Sequence, residues 1–514
     1  MTVLRTASIG APRVRSVSSG APRVSGAIRS GGDVLIVRIA SWADIPKAHP
    51  ENVMAPIKLG TAISLMELSG HRVTLIDGET HAFTREDVLR AFRTGRPDIV
   101  ILHGITTAVR SVNELGQAAR DLLPGALIVA SGQHATARPG DFFKDRGVFD
   151  ACAQYEYEEA LAELVDARAA GASLSTVPGL SLPGATPGEA ISTGPRPLRE
   201  DLDHLPFPKH ALFMRPEYTV FHPTNVVRRR QWGFLMSSRG CPYPCLYCSP
   251  TLRNSYGRKM RYRSVENVGE EVALLERLGA TVLHFKDDIF TMDKERTHAL
   301  CDELIRRRVK LSWTVQTRAD CVDDALLKHM KAAGCCTVSM GIESGSPRIL
   351  EVLRKKETVE DAISAADAAR RAGLFLVNFY LLANPTETLA EMEATLTLAK
   401  RLDPDLLQVG FFTPYPGSPY YEETFRESDT LSPEEFSHYN RIINVSAVPT
   451  EQLYEFQKRF YREMIFRPSF ALRFARQRLA SLPFNFDHEA RFYGLSAKFL
   501  LKKLAFSGER ARAA

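Results

Sequence analysis

The chain has no run of about eighteen apolar residues, roughly the length a bilayer-spanning helix needs, so a membrane span is not expected. Cysteine is scarce, with 8 in 514 residues. That does not suit a disulfide-built secreted scaffold and fits a reducing cytoplasm. Neither sign of charge dominates: the net charge is +6. The excess gathers at Arg228–Arg230 and around Arg253–Arg263. Such patches suit an anionic substrate or a reductant protein, with a solvated basic face as the default, and nothing asks for nucleic acid. Acid is absent from residues 1–32, which carry five arginines and the run Gly-Ala-Pro-Arg-Val at both 10–14 and 20–24. This composition reads as a disordered extension, despite a superficial likeness to a transit peptide. The length implies roughly two to four domains.

Against this background, three of the eight cysteines crowd into one run, Ser238-Arg-Gly-Cys-Pro-Tyr-Pro-Cys-Leu-Tyr-Cys-Ser249. Cys241, Cys245 and Cys248 form a C-x3-C-x2-C triad directly after the apolar segment 232–236. Three thiolates this close can hold three irons of a [4Fe–4S] cluster and leave the fourth iron without a protein ligand. A closed zinc site wants four nitrogen or sulfur ligands. The next candidate downstream of the triad is His284. A disulfide reading fails because three is odd. Cys301, Cys321, Cys335 and Cys336 read as packing positions without chemistry.

From residue 232 onward, short apolar strands alternate with amphipathic helices. Strands are expected at 232–237, 282–286, 311–316, 337–342, 374–381 and 406–413. Helices are expected at 265–278, 294–307, 324–333, 359–372 and 389–402. Gly279, Gly334 and Gly373 stand where helix C-termini want them. The alternation predicts right-handed βαβ units, a parallel sheet and a partial (β/α)6 barrel over 228–425. In barrels, chemistry sits at the C-terminal ends of strands. That rule places the triad in the site, and with it Asp287 and Asp288, Gln316 and Arg318, Glu343 and Ser344, and the run 413–419. For any one of these, a cap or salt-bridge partner is the bland alternative, and Asp288 in particular could cap the following segment.

Residues 33–166 predict a doubly wound α/β domain, with strands at 33–39, 73–77, 99–103 and 126–131 and helices at 56–68, 85–93, 109–122 and 158–166. Such sheets bind ligands outside the carboxyl ends of their strands. The loops there hold Thr106 and Thr107, Gly132, His134 and Thr136, and Glu156 within Tyr155-Glu-Tyr-Glu158. The stretch 167–227, rich in Pro, Gly, Ser and Thr to residue 210, reads as a linker. Residues 426–514 read as a helical C-terminal region, with helices at 433–441, 451–466, 470–479 and 492–504. Its interleaved aromatic and basic residues suit packing against the barrel. A basic amphipathic helix also permits peripheral membrane contact, in which case the substrate is lipid-like.

The triad, the strand-end runs Gly-Ile-Glu-Ser-Gly-Ser and Thr-Pro-Tyr-Pro-Gly-Ser-Pro, and the segment 201–208 resemble class B, cobalamin-binding radical S-adenosylmethionine (SAM) enzymes over roughly residues 33–480. The resemblance implies a [4Fe–4S] cluster on Cys241, Cys245 and Cys248, with SAM on the open iron and cobalamin in the first domain. By the same resemblance Tyr247 lies against the adenine, and Glu343 and Ser344 face the ribose or methionine end. Asp288, Gln316 and Arg318 join the SAM contacts. Thr106, Thr107, Gly132, His134, Thr136 and Glu156 surround the corrin. Residues 33–166 hold no Asp-x-His-x-x-Gly, so the resemblance implies a cobalt without a histidine ligand, although His103 and His134 remain contacts to consider. Ala383 and Asn384 stand where glycines are usual, which implies an altered SAM pose or a contact from the Asn384 amide.

The implied activity is methylation of an unactivated carbon, or less often phosphorus, through a 5′-deoxyadenosyl radical and methylcobalamin. An electron donor such as flavodoxin or ferredoxin would supply the reductant. A cobalamin-dependent cyclase, ring-contracting or oxidative enzyme without methyl transfer is the main alternative. A methylthiotransferase would need further cysteines before the triad, where only Cys152 occurs. A non-enzymatic cobalamin sensor would leave the triad without purpose. The substrate, small or lipid-like, is not legible in these residues.

Overall fold

The computed structural model describes residues 32–39, 53–80, 83–220, 231–248, 255–425 and 443–470, together with Phe436 and scattered positions between 472 and 479. Two compact units emerge, one built mainly from residues 58–198 and the other mainly from residue 213 onward.

The first unit is a seven-stranded sheet. Its strands are β1 (Asp33–Arg38), β2 (Arg72–Asp77), β3 (Ile99–His103), β4 (Leu127–Ser131), β5 (Ala151–Ala153), β6 (Leu180–Pro183) and β7 (Ala190–Ser192), in the order β2-β1-β3-β4-β5-β6-β7. The first five pair in parallel. The sheet is packed by helices α1 (Ile57–Leu68), α2 (Arg85–Gly95), α3 (Val109–Leu122), the short α4 (Gln133–Ala137) and α5 (Tyr157–Ala170). Strands β3 and β4 are apolar almost throughout because both faces are covered. Val100, Leu102, Ile128 and Ala130 share one buried cluster with Phe92, Leu115 and Phe149. Thr84 starts α2 by a capping box with Asp87, satisfying amides that the first turn leaves unpaired.

One expectation differs here. The linker read over 167–227 is not all connection: α5 runs to Ala170, and β6 and β7 extend the sheet with antiparallel pairings. Its Pro, Gly and Ser content serves tight turns between strands of three and four residues, too short to show a period.

The second unit holds six parallel strands in sequential order: β8 (Trp232–Leu235), β11 (Val282–Phe285), β12 (Ser312–Thr317), β13 (Cys335–Glu343), β14 (Phe375–Leu382) and β15 (Leu406–Phe411). A hairpin of β9 (Ser238–Arg239) and β10 (Arg261–Tyr262) sits just after the first strand. Between the strands come α6 (Val265–Arg277), α7 (Lys294–Arg306), α8 (Asp324–Ala332), α9 (Pro347–Val352), α10 (Val359–Arg371) and α11 (Leu389–Leu402); after β15 come α12 (Pro419–Thr424) and α13 (Thr450–Ile465). Ser264, Asp293, Asp323 and Thr358 cap their helices with side-chain oxygens. Gly279, Gly334 and Gly373 take positive φ at helix exits, as expected. The helix-side faces of the strands, with Leu235, Phe285, Trp313, Met340 and Val409, form the main core. Phe456 and Phe460 of α13 are buried in that same core, and Gln457 Nε2 donates to the Val409 carbonyl at 2.8 Å. This helix therefore spends its apolar face on the sheet. The helices expected at 433–441 and 492–504 lie almost wholly outside the described residues, that at 470–479 partly so, and the extension 1–32 almost entirely so. No helix among the described residues is long and apolar enough to cross a membrane.

Candidate active site

The triad follows β8 and is fixed from two sides. Asp287, one residue beyond Lys286 at the end of β11, accepts from the Ser237 amide at 3.0 Å, the Ser237 hydroxyl at 2.8 Å and the Ser238 hydroxyl at 2.5 Å. Within the loop that joins β9 to β10, the Cys241 amide donates to the Gly257 carbonyl at 3.2 Å. At the other end of the loop, the Leu246 amide donates to the Leu353 carbonyl and the Tyr420 amide to the Leu246 carbonyl, at 2.9 and 3.1 Å. Cys241 and Cys245 are buried and Cys248 is half-buried. Burial raises all three thiols; neighbouring cysteines add to the effect at Cys241 and Cys248, while Lys355 and Arg318 oppose it at Cys245. The carboxylate of Asp288 pushes Cys241 and Cys248 the same way. Among the described residues, no three His, Cys, Asp or Glu side chains converge on one ion. Three thiols on one C-x3-C-x2-C loop are one ligand short of a closed zinc site and match the three protein ligands of a [4Fe–4S] cluster with an open iron. The donor set fits the cluster.

Behind the triad stands a buried set of charges. The Tyr247 hydroxyl donates to Glu343 Oε1 at 3.0 Å, and Lys355 Nζ stands 3.5 Å from the same oxygen. Lys355 also faces Glu357 at 3.5 Å. Burial works against the Lys355 charge, but the Glu343 and Glu357 carboxylates outweigh it and hold its pKa above the ordinary value. Burial lifts Glu357 to about 7 against the pull of Lys355 and Arg318. Glu343 follows a register shift in β13 and has φ +64°. Gly341 explains how its carboxylate fits: a Cβ there would lie 2.3 Å from Glu343 Oε1 and 3.2 Å from Lys355 Nζ.

The remaining expected positions divide. Asp288 lies near Cys241 and Cys248, and Gln316 stands near the end of β12, its side-chain amide without a hydrogen-bond partner among the described residues. Ser344 is fully buried, and its hydroxyl meets Thr395 Oγ1 at 3.2 Å and accepts from the Ser346 amide at 3.1 Å, so it ties β13 to α11. Arg318 is committed to protein partners on most of its edges. Ala383 does take the left-handed backbone that glycine favours, at φ +58°. The Asn384 amide nitrogen is spent locally on the Leu381 carbonyl at 3.0 Å, while its Oδ1 is buried without a partner. Sequence reasoning missed Lys355, Glu357 and Tyr243. No spacing marks the first two: Lys355 reaches Glu343 and Glu357 reaches Lys355 only through the folded backbone.

In the first unit, the expected loops meet at the carboxyl edge of the sheet. Gly132 has φ +110°, and a Cβ there would lie 2.3 Å from the Gly104 carbonyl oxygen, so only glycine lets the β3 and β4 loops touch. His134 is buried, with Nδ1 3.3 Å from Thr106 Oγ1 and Nε2 2.9 Å from Asp141 Oδ2. Thr136 donates to the Gly132 carbonyl at 3.1 Å and accepts from the Tyr155 amide at 3.0 Å. His134, Thr106 and Thr136 thus bind one another's loops. Thr107 is half-buried with its hydroxyl unengaged among the described residues, and Glu156 precedes α5. A tight, small-residue loop cluster at this edge fits a bulky ligand laid across it.

Residues 45–165 match the B12 binding domain family, and residues 235–399 match the Radical SAM superfamily. The chain is 31% identical over 414 residues to Uncharacterized methyltransferase PH0819 of Pyrococcus horikoshii, covering 80% of this chain and 88% of that protein. It is 25% identical over 429 residues to an anaerobic magnesium-protoporphyrin IX monomethyl ester cyclase of Rubrivivax gelatinosus, covering 82% of this chain and 74% of the relative. Its fold is similar to that of the radical SAM methyltransferase TsrM from Kitasatospora setae, solved with cobalamin and a [4Fe–4S] cluster bound. The TM-score is 0.62 at 20% identity, over 77% of this chain and 75% of that one.

Proposed function

This chain belongs to the radical SAM enzymes that carry a B12-binding domain, and we propose that it methylates an unactivated carbon, or less often phosphorus, of a small-molecule or lipid-like substrate. As in the family, its cofactors are a [4Fe–4S] cluster, S-adenosylmethionine and cobalamin. The observation that carries the proposal is a three-cysteine loop following the first strand of a six-stranded parallel sheet, in a chain 31% identical to an uncharacterized methyltransferase.

When bound, the three cofactors together supply a reductively generated carbon radical and a methyl group. Cys241, Cys245 and Cys248 would hold three irons and leave one site for SAM. Asp287 keeps their loop in register through Ser237 and Ser238. Tyr247 and Glu343, joined by their hydrogen bond, would line the nucleoside side. Gln316, near the end of β12, is offered as a further SAM contact through its unspent amide. Asp288, by its negative charge, favours the cationic end of SAM. Thr107 and Glu156 are offered as contacts to cobalamin, with Gly132, Thr106, His134 and Thr136 shaping the loops that carry them. A flavodoxin or ferredoxin is the expected electron donor.

The test is anaerobic reconstitution with iron, sulfide and hydroxocobalamin, followed by SAM, a strong reductant and candidate substrates, with products read by mass spectrometry. The expected result is 5′-deoxyadenosine and S-adenosylhomocysteine in the wild type, with deoxyadenosine abolished in Cys245→Ala. Neither product from a fully loaded protein would overturn the reading. The likeness to the cyclase favours a second reading, radical chemistry without methyl transfer. Product mass separates the two: a gain of one methylene unit against a loss of hydrogen.

A further inference from the structure

Arg318 lies just past β12, and its guanidinium is held on nearly every side. Nε and Nη2 donate to the two oxygens of Asp320, each at 2.9 Å. Nη2 also donates to the Lys355 carbonyl at 2.8 Å, and Nε stands 3.3 Å from Glu357 Oε1. One face of the guanidinium packs on the Tyr243 ring, 3.5 Å from its centroid. Tyr243 itself belongs to the triad loop. What remains is the Nη1 edge, which is directed at Cys245 Sγ, 4.0 Å away. Both Arg318 and Lys355 are about 95% buried, and both charges act on the Cys245 sulfur.

We propose that Arg318 is a positioning residue that holds Cys245 and, backed by the buried charge of Lys355, raises the reduction potential of the cluster, and that it is not a ligand to SAM. The inference rests on the cluster reading above. Reduction adds one electron, taken from the external donor, to a group already negative. A fixed cation against a ligating sulfur stabilises the reduced form more than the oxidised one, because the dielectric there is low. A free SAM carboxylate would need the planar fork of the guanidinium, and Asp320 already occupies it. Asp320 is the outer member of the pair, with its side chain about one-fifth exposed. Removing its charge should therefore act with the opposite sign.

The test uses the full chain reconstituted with iron and sulfide. The cluster potential is measured by redox titration followed by electron paramagnetic resonance, and SAM binding by equilibrium dialysis on the same samples. Arg318→Gln is expected to move the potential more negative and Asp320→Asn less negative, with SAM affinity within about twofold of wild type in both. Unchanged potentials, or shifts of the same sign in both variants, would overturn the proposal. A tenfold or greater loss of SAM affinity in Arg318→Gln with an unchanged potential would make it a SAM ligand after all. If Arg318→Gln takes up no cluster, Asp320→Asn decides alone: a less negative potential supports the proposal and no change refutes it. A wild-type protein that takes up no cluster overturns the underlying reading instead, and iron and sulfide analysis shows which has failed.

Discussion

The carboxylate of Asp287 accepts both the amide and the hydroxyl of Ser237, fifty residues away in sequence, and so fixes where the chain leaves β8 for the cysteine loop. Replacing it with alanine strands one amide and two hydroxyls in a buried place. Asp287→Ala is expected to lower stability by about 3 kcal/mol. It should also load less iron than wild type under the same reconstitution. Thermal unfolding and iron analysis check both. Wild-type iron content in a destabilised variant would mean that the clamp serves the fold alone.

Gly341→Ala tests the space under Glu343. The added methyl would collide with the carboxylate that Tyr247 and Lys355 hold. SAM affinity is expected to fall about tenfold, which is 1.4 kcal/mol, measured by equilibrium dialysis on cluster-loaded protein. Unchanged affinity would remove Glu343 from the SAM contacts.

Gly132→Ala addresses the first unit. Its left-handed backbone and the Gly104 carbonyl both oppose a side chain. A loss of roughly 2 kcal/mol is expected, together with weaker retention of cobalamin on gel filtration, read by the absorbance of the corrin. If cobalamin retention is unaffected, these loops do not carry it.

His103 predicts a pH effect. It ends β3 with Nδ1 3.0 Å from Ser131 Oγ and its ring 5.3 Å from that of Tyr157. Burial first, then the charges of Arg38 and Lys58, hold its imidazole down to about 3. The unfolded histidine titrates near 6.5. Below about pH 6.5 the unfolded chain therefore binds a proton that the folded one refuses. Stability from this group is complete above that pH and falls as pH drops toward 3. His103→Gln should flatten the melting temperature between pH 7 and 5 relative to wild type. Parallel curves would refute it.

Legibility in the sequence followed the range of the forces involved. Strand Ile99–His103 and helix Leu389–Leu402 run between the expected residues, because apolar runs and local caps such as Thr388 with Glu391 set them. The triad stands out in the sequence because cysteine spacing is local. The hairpin β9–β10 was not, since two-residue strands carry no period and owe their form to distant pairing. Asp287 and Asp288 look alike in sequence. Only the return of Ser237 and Ser238 makes the first a clamp, while the second stays near the thiols. Ser344 and His134 have the polarity of ligand contacts and also make hydrogen bonds within the fold, which no single-residue property reveals.

The antiparallel pair β6–β7 closes the side of the first sheet where β5 would otherwise end it. An unpaired β5 would offer its free amides and carbonyls to any passing strand, and such margins invite self-association. The outermost strand is instead three residues long and mostly exposed, a poor template for pairing. Cutting the gene after Gly171, where α5 stops, would uncover that margin. The resulting fragment should precipitate where one ending after Leu198 stays in solution.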